Sequence, residues 1–384
     1  MKRILLTTAA MGAALGLAAG AASAGGVDRS GQSIGIIFEQ GNYAELSYGL
    51  INPSVSGNDV ALFGGRNTGS VAGNHSLPGI ALKYDFTDRL SGAIIYGQDY
   101  GADISYPLGD SIALGGTMAE LNSDVITGIL RYKFDGGFSA HAGIRASKAS
   151  GEVTLSGFAY DPPGPVNLSG YNVTFDDAWG TGYLVGAAFE KPEIALRVAI
   201  TYFSKVTHDL DTTETFSTAL GPIPAGVPLT STTSVDTPQA VNLDFQSGVA
   251  QNTLVFGSIR WVDWSSFLID PQYFTGATGS GLVELEDTTT YTLGVGRKFN
   301  DNWSGSVFVT YEPEGDPLVS PLAPTNGYKG IGLAAVYTQD NMKITMGARY
   351  LDLGDASAAT SDTARAEMTG NSAVALGIKV GFSF

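Results

Sequence analysis

Apolar and polar residues alternate with a period of two along most of the chain beyond residue 42. That spacing sends successive strand side chains to opposite faces. The last stretch shows it most clearly. Val374, Leu376, Ile378, Val380, Phe382 and Phe384 share one face, and Ala375, Gly377, Lys379, Gly381 and Ser383 share the other. The same parity runs through 342–350, 291–296, 194–203 and 80–86. It predicts an all-β chain of about fourteen strands, with ends good to a few residues. The strands fall at 43–57, 75–86, 89–106, 117–134, 137–156, 175–190, 193–213, 237–250, 253–270, 284–299, 302–313, 327–338, 341–353 and 370–384.

The connections sharpen this. Very short turns sit at Thr87-Asp88-Arg89, Asp135-Gly136-Gly137, Lys191-Pro192-Glu193, Gln251-Asn252, Asn300-Asp301-Asn302 and Gln339-Asp340-Asn341, and longer loops alternate with them. Short turns on one side and long loops on the other are the habit of outer-membrane barrels, and an even strand count puts both ends of the chain on the short-turn, periplasmic side. Aromatics gather near these turns: Tyr84, Phe86, Tyr132, Phe134, Phe138, Phe189, Phe299, Trp303, Tyr337, Phe382 and Phe384. On an outward face they would form an interfacial girdle. The predicted fold is a transmembrane, antiparallel, up-and-down β-barrel over 43–384, with Phe382 and Phe384 as the terminal signal read by the barrel-assembly machinery.

The start of the chain reads differently. Lys2 and Arg3 precede an apolar stretch that ends in Ala22-Ser23-Ala24, the layout of a cleaved export signal over 1–24. Residues 25–42 then form a short N-terminal hatch or plug segment. Beyond the signal no stretch holds the roughly 18 uninterrupted apolar residues that a spanning helix needs. An exported chain of this pattern therefore meets the membrane as a closed barrel.

Composition excludes more than it identifies. The net charge is −16, which repels nucleic-acid phosphates. There is no cysteine, hence no disulfide frame or thiolate metal site. His75, His141 and His208 are the only histidines, none spaced tellingly from a serine or carboxylate. No enzyme activity, metal or cofactor is expected.

Two features point to an apolar cargo, with outer-membrane lipid around the barrel. Three loops are apolar and proline-rich: Phe158 to Leu168, Leu220 to Leu229, and Pro317 to Pro324. Exposed apolar patches mark binding surfaces, although these loops could equally pack on each other as a cap. Inward parity also collects cations, namely Lys83, Arg131, Arg145, Arg197, Arg260, Arg349 and Lys379. They could hold a carboxylate head group, or they could form ion pairs with Glu45, Asp85 and similar acids that merely fill the barrel.

Specific stretches carry a family resemblance from about Ala44 onward. Ala178-Trp179-Gly180-Thr181-Gly182-Tyr183 leads through Gly186 to Ile200-Thr201-Tyr202-Phe203-Ser204-Lys205-Val206. Arg260-Trp261-Val262-Asp263-Trp264-Ser265-Ser266-Phe267 and Leu77 to Ala102 follow the same order and spacing. The chain resembles the FadL family of outer-membrane long-chain fatty-acid transporters, which includes aromatic-hydrocarbon channels. The resemblance implies a monomeric fourteen-strand barrel, an internal hatch, and a kink in the third strand that opens the wall sideways. Here the kink and lateral gate would lie near Gly97, Tyr100 and Gly101, where glycine tolerates a break. It also implies a ligand-binding cation in the fifth strand. Lys148 matches best, although its parity points outward, and Arg145 is the inward alternative. Arg197, Arg260 and Arg349 complete the candidate ligand-binding set. The chain departs from the family in its short hatch, in Asn52-Pro53-Ser54 falling at the end of strand one, and in Leu243-Asp244 where a Leu-Pro pair is expected. The function implied is uptake of fatty acids or other hydrophobic compounds. A general porin and a structural or adhesin barrel are the competing readings.

Overall fold

The computed structural model describes residues 27–161 and 167–384. The expected export signal and the loop residues Pro162, Pro163, Pro165 and Val166 lie outside them. Fourteen antiparallel strands close into a barrel. They are β1 (Tyr43–Ser54), β2 (His75–Asp85), β3 (Leu90–Gly97 and Gly101–Ser105), β4 (Met118–Lys133), β5 (Phe138–Leu155), β6 (Tyr171–Lys191) and β7 (Leu196–Phe203 and Val206–Thr215). The circle continues with β8 (Leu229–Thr237 and Ala240–Ala250), β9 (Thr253–Val262), β10 (Thr288–Lys298), β11 (Trp303–Glu312), β12 (Tyr328–Gln339), β13 (Met342–Leu353) and β14 (Asn371–Ser383). Three strands are thus broken in two. Closure comes from β1 on β14, in register from Tyr43 opposite Ser383 to Ser54 opposite Ser372.

The period of two decides which face meets lipid. Val374, Leu376, Ile378, Phe382 and Phe384 are exposed, while Ala373, Ala375 and Asn371 are buried. An apolar outward face costs nothing in hydrocarbon, and closure leaves no unpaired edge there. Near the short turns exposed and half-buried aromatics pair up along or across strands. Tyr132 and Phe134 lie 5.1 Å apart between ring centres, Phe138 and Phe189 4.7 Å, and Trp303 and Tyr337 4.9 Å. The turns are tight because Asn252 (φ 57°) and Asp340 (φ 52°) take the left-handed conformation that their short polar side chains tolerate.

Four expectations about strand ends change. β1 stops at Ser54 rather than 57, because Gly57–Asp59 leaves the wall for a small four-stranded sheet in the loop cap. β9 stops at Val262 rather than 270. Beyond it Trp264 turns inward, buried, and packs edge-on against Tyr100 at 5.6 Å. A short α-helix, Gln272–Thr278, follows. β7 runs on to Thr215 but breaks at Ser204 and Lys205, where the Ser204 hydroxyl accepts the Tyr183 amide at 2.8 Å and donates to the Lys205 carbonyl at 3.0 Å. β8 begins at Leu229, eight residues before the expected 237, in a Thr/Ser run that shows no apolar alternation.

The loops pack largely on each other. Leu220, Leu322 and Tyr160 are buried in the cap, whereas Phe158, Val227 and Leu318 remain exposed. Below them the wall is uneven: β6 is 21 residues long, β9 only 10. The loop-side part of β7 turns Thr207, Asp209 and Asp211 outward, so this flank stands above the hydrocarbon.

The seam offers a test of closure. A Cβ added at Gly381 would overlap the Tyr43 hydroxyl, and Tyr43 is buried. Gly381→Leu is expected to destabilise the barrel by about 1–3 kcal/mol through overpacking. The check is the temperature at which the folded, fast-migrating gel form is lost, which should fall.

Candidate functional site

The site is assembled from the N-terminal segment, the break in β3 and the inward cations. Residues 27–39 lie inside the barrel, held by inward side chains. The Asn242 amide donates to the Gly31 carbonyl at 3.0 Å, and Arg131 donates to the Ile37 carbonyl at 3.2 Å. Phe38 sits under the guanidinium groups of Arg131 and Arg197, at 4.5 and 4.6 Å. Ile34, Ile36 and Ile37 are buried.

β3 is interrupted at Gln98-Asp99-Tyr100, between Gly97 and Gly101. Its first half pairs with β2 only from Tyr96 opposite Ile80 to Ser91 opposite Asp85. Its second half pairs with β4 and leaves β2. Among the described residues, the β2 edge from His75 to Gly79 therefore has β1 on one side and no barrel strand on the other. Pro78, which lacks an amide donor, is placed on this half-unpaired stretch.

The N-terminal segment occupies the vacated edge of β3. The Arg29 amide donates to the Asp99 carbonyl at 2.7 Å, and the Gly101 amide donates to the Val27 carbonyl at 2.8 Å. Side chains lock this pairing. Arg260 holds Asp28 at 2.6 Å and also donates to Asn242 at 2.8 Å. Asp99 takes Arg145 as its ion-pair partner and accepts the Ser30 hydroxyl at 2.7 Å. Gln32 donates to the Tyr100 hydroxyl at 2.8 Å. Arg29 itself is buried, which lowers its pKa from the ordinary value while Asp103 and Glu120 oppose the shift.

The expected ligand-binding residues divide accordingly. Arg145 and Arg260 face inward and clamp the N-terminal segment and the break. Arg197 faces inward over Phe38, with Asp244 within electrostatic reach. Arg349 stacks 5.5 Å over Tyr328, near Glu312. Lys148 lies on the outward face, 2.5 Å from Asp177, and lines none of the internal cavities described below. The other inward cations are paired as well: Lys83 with Asp85, Arg131 with Glu190, and Lys379 with Glu45 at 3.0 Å. Lys343 adds a further pair with Glu39 at 2.6 Å. Sequence parity located the cations and two of their partners, Asp85 and Glu45, but not the others. Asp28 lay outside the expected strands, Asp99 fell at the expected kink of the third strand where parity breaks, and Trp264 was assigned to a strand that ends before it.

Several spaces adjoin the N-terminal segment. On the loop side is an apolar chamber of about 50 Å³, lined by Leu121, Val153, Phe175, Leu210, Val235 and Phe267, with Val27 at its boundary. A cavity of about 180 Å³ runs from Ser33–Ile36 to the unpaired β2 edge, Leu77–Gly79, and to Tyr96–Asp99. A third, of about 440 Å³, opens on the short-turn side among Glu39, Arg131, Lys133, Glu190, Arg197 and Asp244. Inward small residues make room for the second: Gly347, Gly377 and Gly49 lie side by side across β13, β14 and β1. Among the described residues, no cluster of His, Cys, Asp or Glu suits a metal ion.

Solved structures with the same architecture include a Pseudomonas aeruginosa FadL homologue, 15% identical, with TM-score 0.75, covering 96% of this chain and 98% of that one. The Ralstonia pickettii toluene transporter TbuX is 15% identical at TM-score 0.61, covering 90% of each chain. The Pseudomonas putida toluene transporter TodX is 12% identical at TM-score 0.63, again covering 90% of each. No curated protein sequence matches the chain. The model of the outer membrane protein transport family (OMPP1/FadL/TodX) matches residues 15–384, and the fourteen-strand barrel agrees with that match: the chain belongs to this outer-membrane family of hydrophobic-compound transporters.

Proposed function

We propose that this protein takes up hydrophobic molecules, fatty acids or hydrocarbons, and releases them sideways into the membrane through the wall between β2 and β3. The carrying observation is the unpaired β2 edge at Leu77–Gly79, reached by an internal cavity. Residues 27–42 act as the plug. A hydrophobic molecule gains free energy by entering lipid and gains none in an aqueous exit. The path onward to the periplasm passes a mouth lined with charges of both signs, where an apolar solute pays for desolvating them. Two of the similar solved structures are named as toluene transporters, which supports an apolar cargo.

The test joins uptake with conductance. Cells lacking the protein should accumulate an apolar compound more slowly, and plasmid expression should restore the rate. The purified barrel in a planar bilayer should show little steady ion current, since the N-terminal segment fills the lumen. A large steady current with unchanged uptake would favour the porin reading instead.

A further inference from the structure

We propose that the loop from Asp263 to Asp287, between β9 and β10, is the lid of the loop-side chamber, and that Glu214 is the positioning residue that holds it shut. This rests on the uptake reading above and adds how entry from the loop side is controlled. The chamber as it stands is closed to cargo. An apolar cavity of about 150 Å³ holds one benzene ring, and this one measures about 50 Å³. It must expand before a ring or chain fits. Leu121, Val153, Phe175, Leu210 and Val235 belong to wall strands held in ladders, and Val27 is paired with Gly101. Phe267, Ile269, Val283 and Leu285 all come from the loop, which holds no strand. A second loop adds only Leu322 and Ala323. The larger movable wall is therefore the loop.

The loop has a fixed base and an outer anchor. At the base Trp264 is buried against Tyr100, Gln239 donates to the Asp263 carboxylate at 2.8 Å, and the Ser265 amide donates to the Asp287 carboxylate at 3.0 Å. Farther out the Leu282 amide donates to the Ile269 carbonyl at 2.9 Å, which ties the two limbs together. The outer anchor is Glu214 on β7, which is fully buried. Its carboxylate accepts the Tyr273 amide at 2.9 Å and the Phe274 amide at 2.7 Å. These amides open the helix Gln272–Thr278 and have no partner within it. The same carboxylate accepts the Tyr171 hydroxyl at 2.9 Å, and the Tyr171 ring packs 4.8 Å from that of Phe274. Hydrogen bonds to a charged acceptor are the strong ones, and three meet on this side chain. Loss of that carboxylate loosens the outer half of the loop while the base stays.

The experiment compares the full chain with Glu214→Gln and Tyr171→Phe. Glu214→Gln keeps the shape but puts a donor where three donors already meet. Amide exchange in lipid nanodiscs reads the lid, and initial uptake of labelled toluene by cells reads entry. In Glu214→Gln the Tyr273 and Phe274 amides should exchange at least about tenfold faster than in the parent, while the β9 and β10 amides keep their rates. Uptake well below saturation should rise at least about threefold, because the open state is more populated. Tyr171→Phe removes one hydrogen bond and leaves both helix amides held, so it should show the same two changes at smaller size; it carries the test if Glu214→Gln does not fold. Faster exchange with unchanged or slower uptake would overturn the lid and leave sideways release standing. Unchanged exchange would overturn Glu214 as its anchor. A parent chain that does not speed toluene entry would overturn the uptake reading, and the lid with it.

Discussion

A channel carrying Gly97→Trp is expected to fold, reach the outer membrane and lose most of its uptake. A Cβ added at Gly97 meets nothing within 4 Å, so the new side chain enters open space at no packing cost. That space is the cavity that ends at the unpaired β2 edge. The indole therefore stands in the proposed exit. An added barrier of about 1.4 kcal/mol already lowers flux about tenfold, and a ring filling the gap should exceed it. Initial uptake of a labelled hydrocarbon is the measurement, with the heat-dependent gel shift as the folding control. Undiminished uptake by a folded variant would sink lateral release through this gap. Gly101, four residues on, is the contrasting position. A Cβ there would overlap the Arg29 guanidinium, so substitution disturbs the N-terminal segment instead of the exit.

The second large effect is expected at Arg260. Its guanidinium holds Asp28, and the two side chains are only 10% and 16% exposed. Truncating one member of a buried pair costs about 3–5 kcal/mol, because the other charge is left without compensation. Arg260→Met should spend that energy on the N-terminal segment, which has no wall strand of its own. Amide exchange over residues 27–32 should accelerate by orders of magnitude, and steady ion current should rise. Adding Asp28→Asn should recover part of the protection, since the stranded charge is then gone. Exchange at the parent rate would show that the backbone pairing with Asp99 and Gly101 suffices alone.

Much of the wall was legible because lipid on one side and lumen on the other force a strict parity. Val374 to Phe384 showed it without a gap, and so did 342–350. Legibility failed where that force is absent. The first half of β8, Leu229–Thr237, rises above the hydrocarbon, and its Thr/Ser run carries no apolar signal. Trp264 was read into the strand expected at 253–270 because nothing local says that it turns inward onto Tyr100. The candidate site was half legible. Parity put Arg145 and Arg260 on the inward face and Lys148 outward. It could not show that Arg145 and Arg260 hold Asp99 and Asp28, because those contacts span 46 and 232 residues of sequence.

The broken strand also gives the barrel a direction within the plane of the membrane. The gap occupies one flank, between β2 and β3, beside the tall strands β4 to β6 and far from β10 to β12. A neighbouring protein packed against β10 to β12 leaves that flank facing lipid. The same neighbour packed against β1 to β3 covers it. In a crowded outer membrane, delivery through such a wall depends on which way each molecule is turned as well as on how many are present.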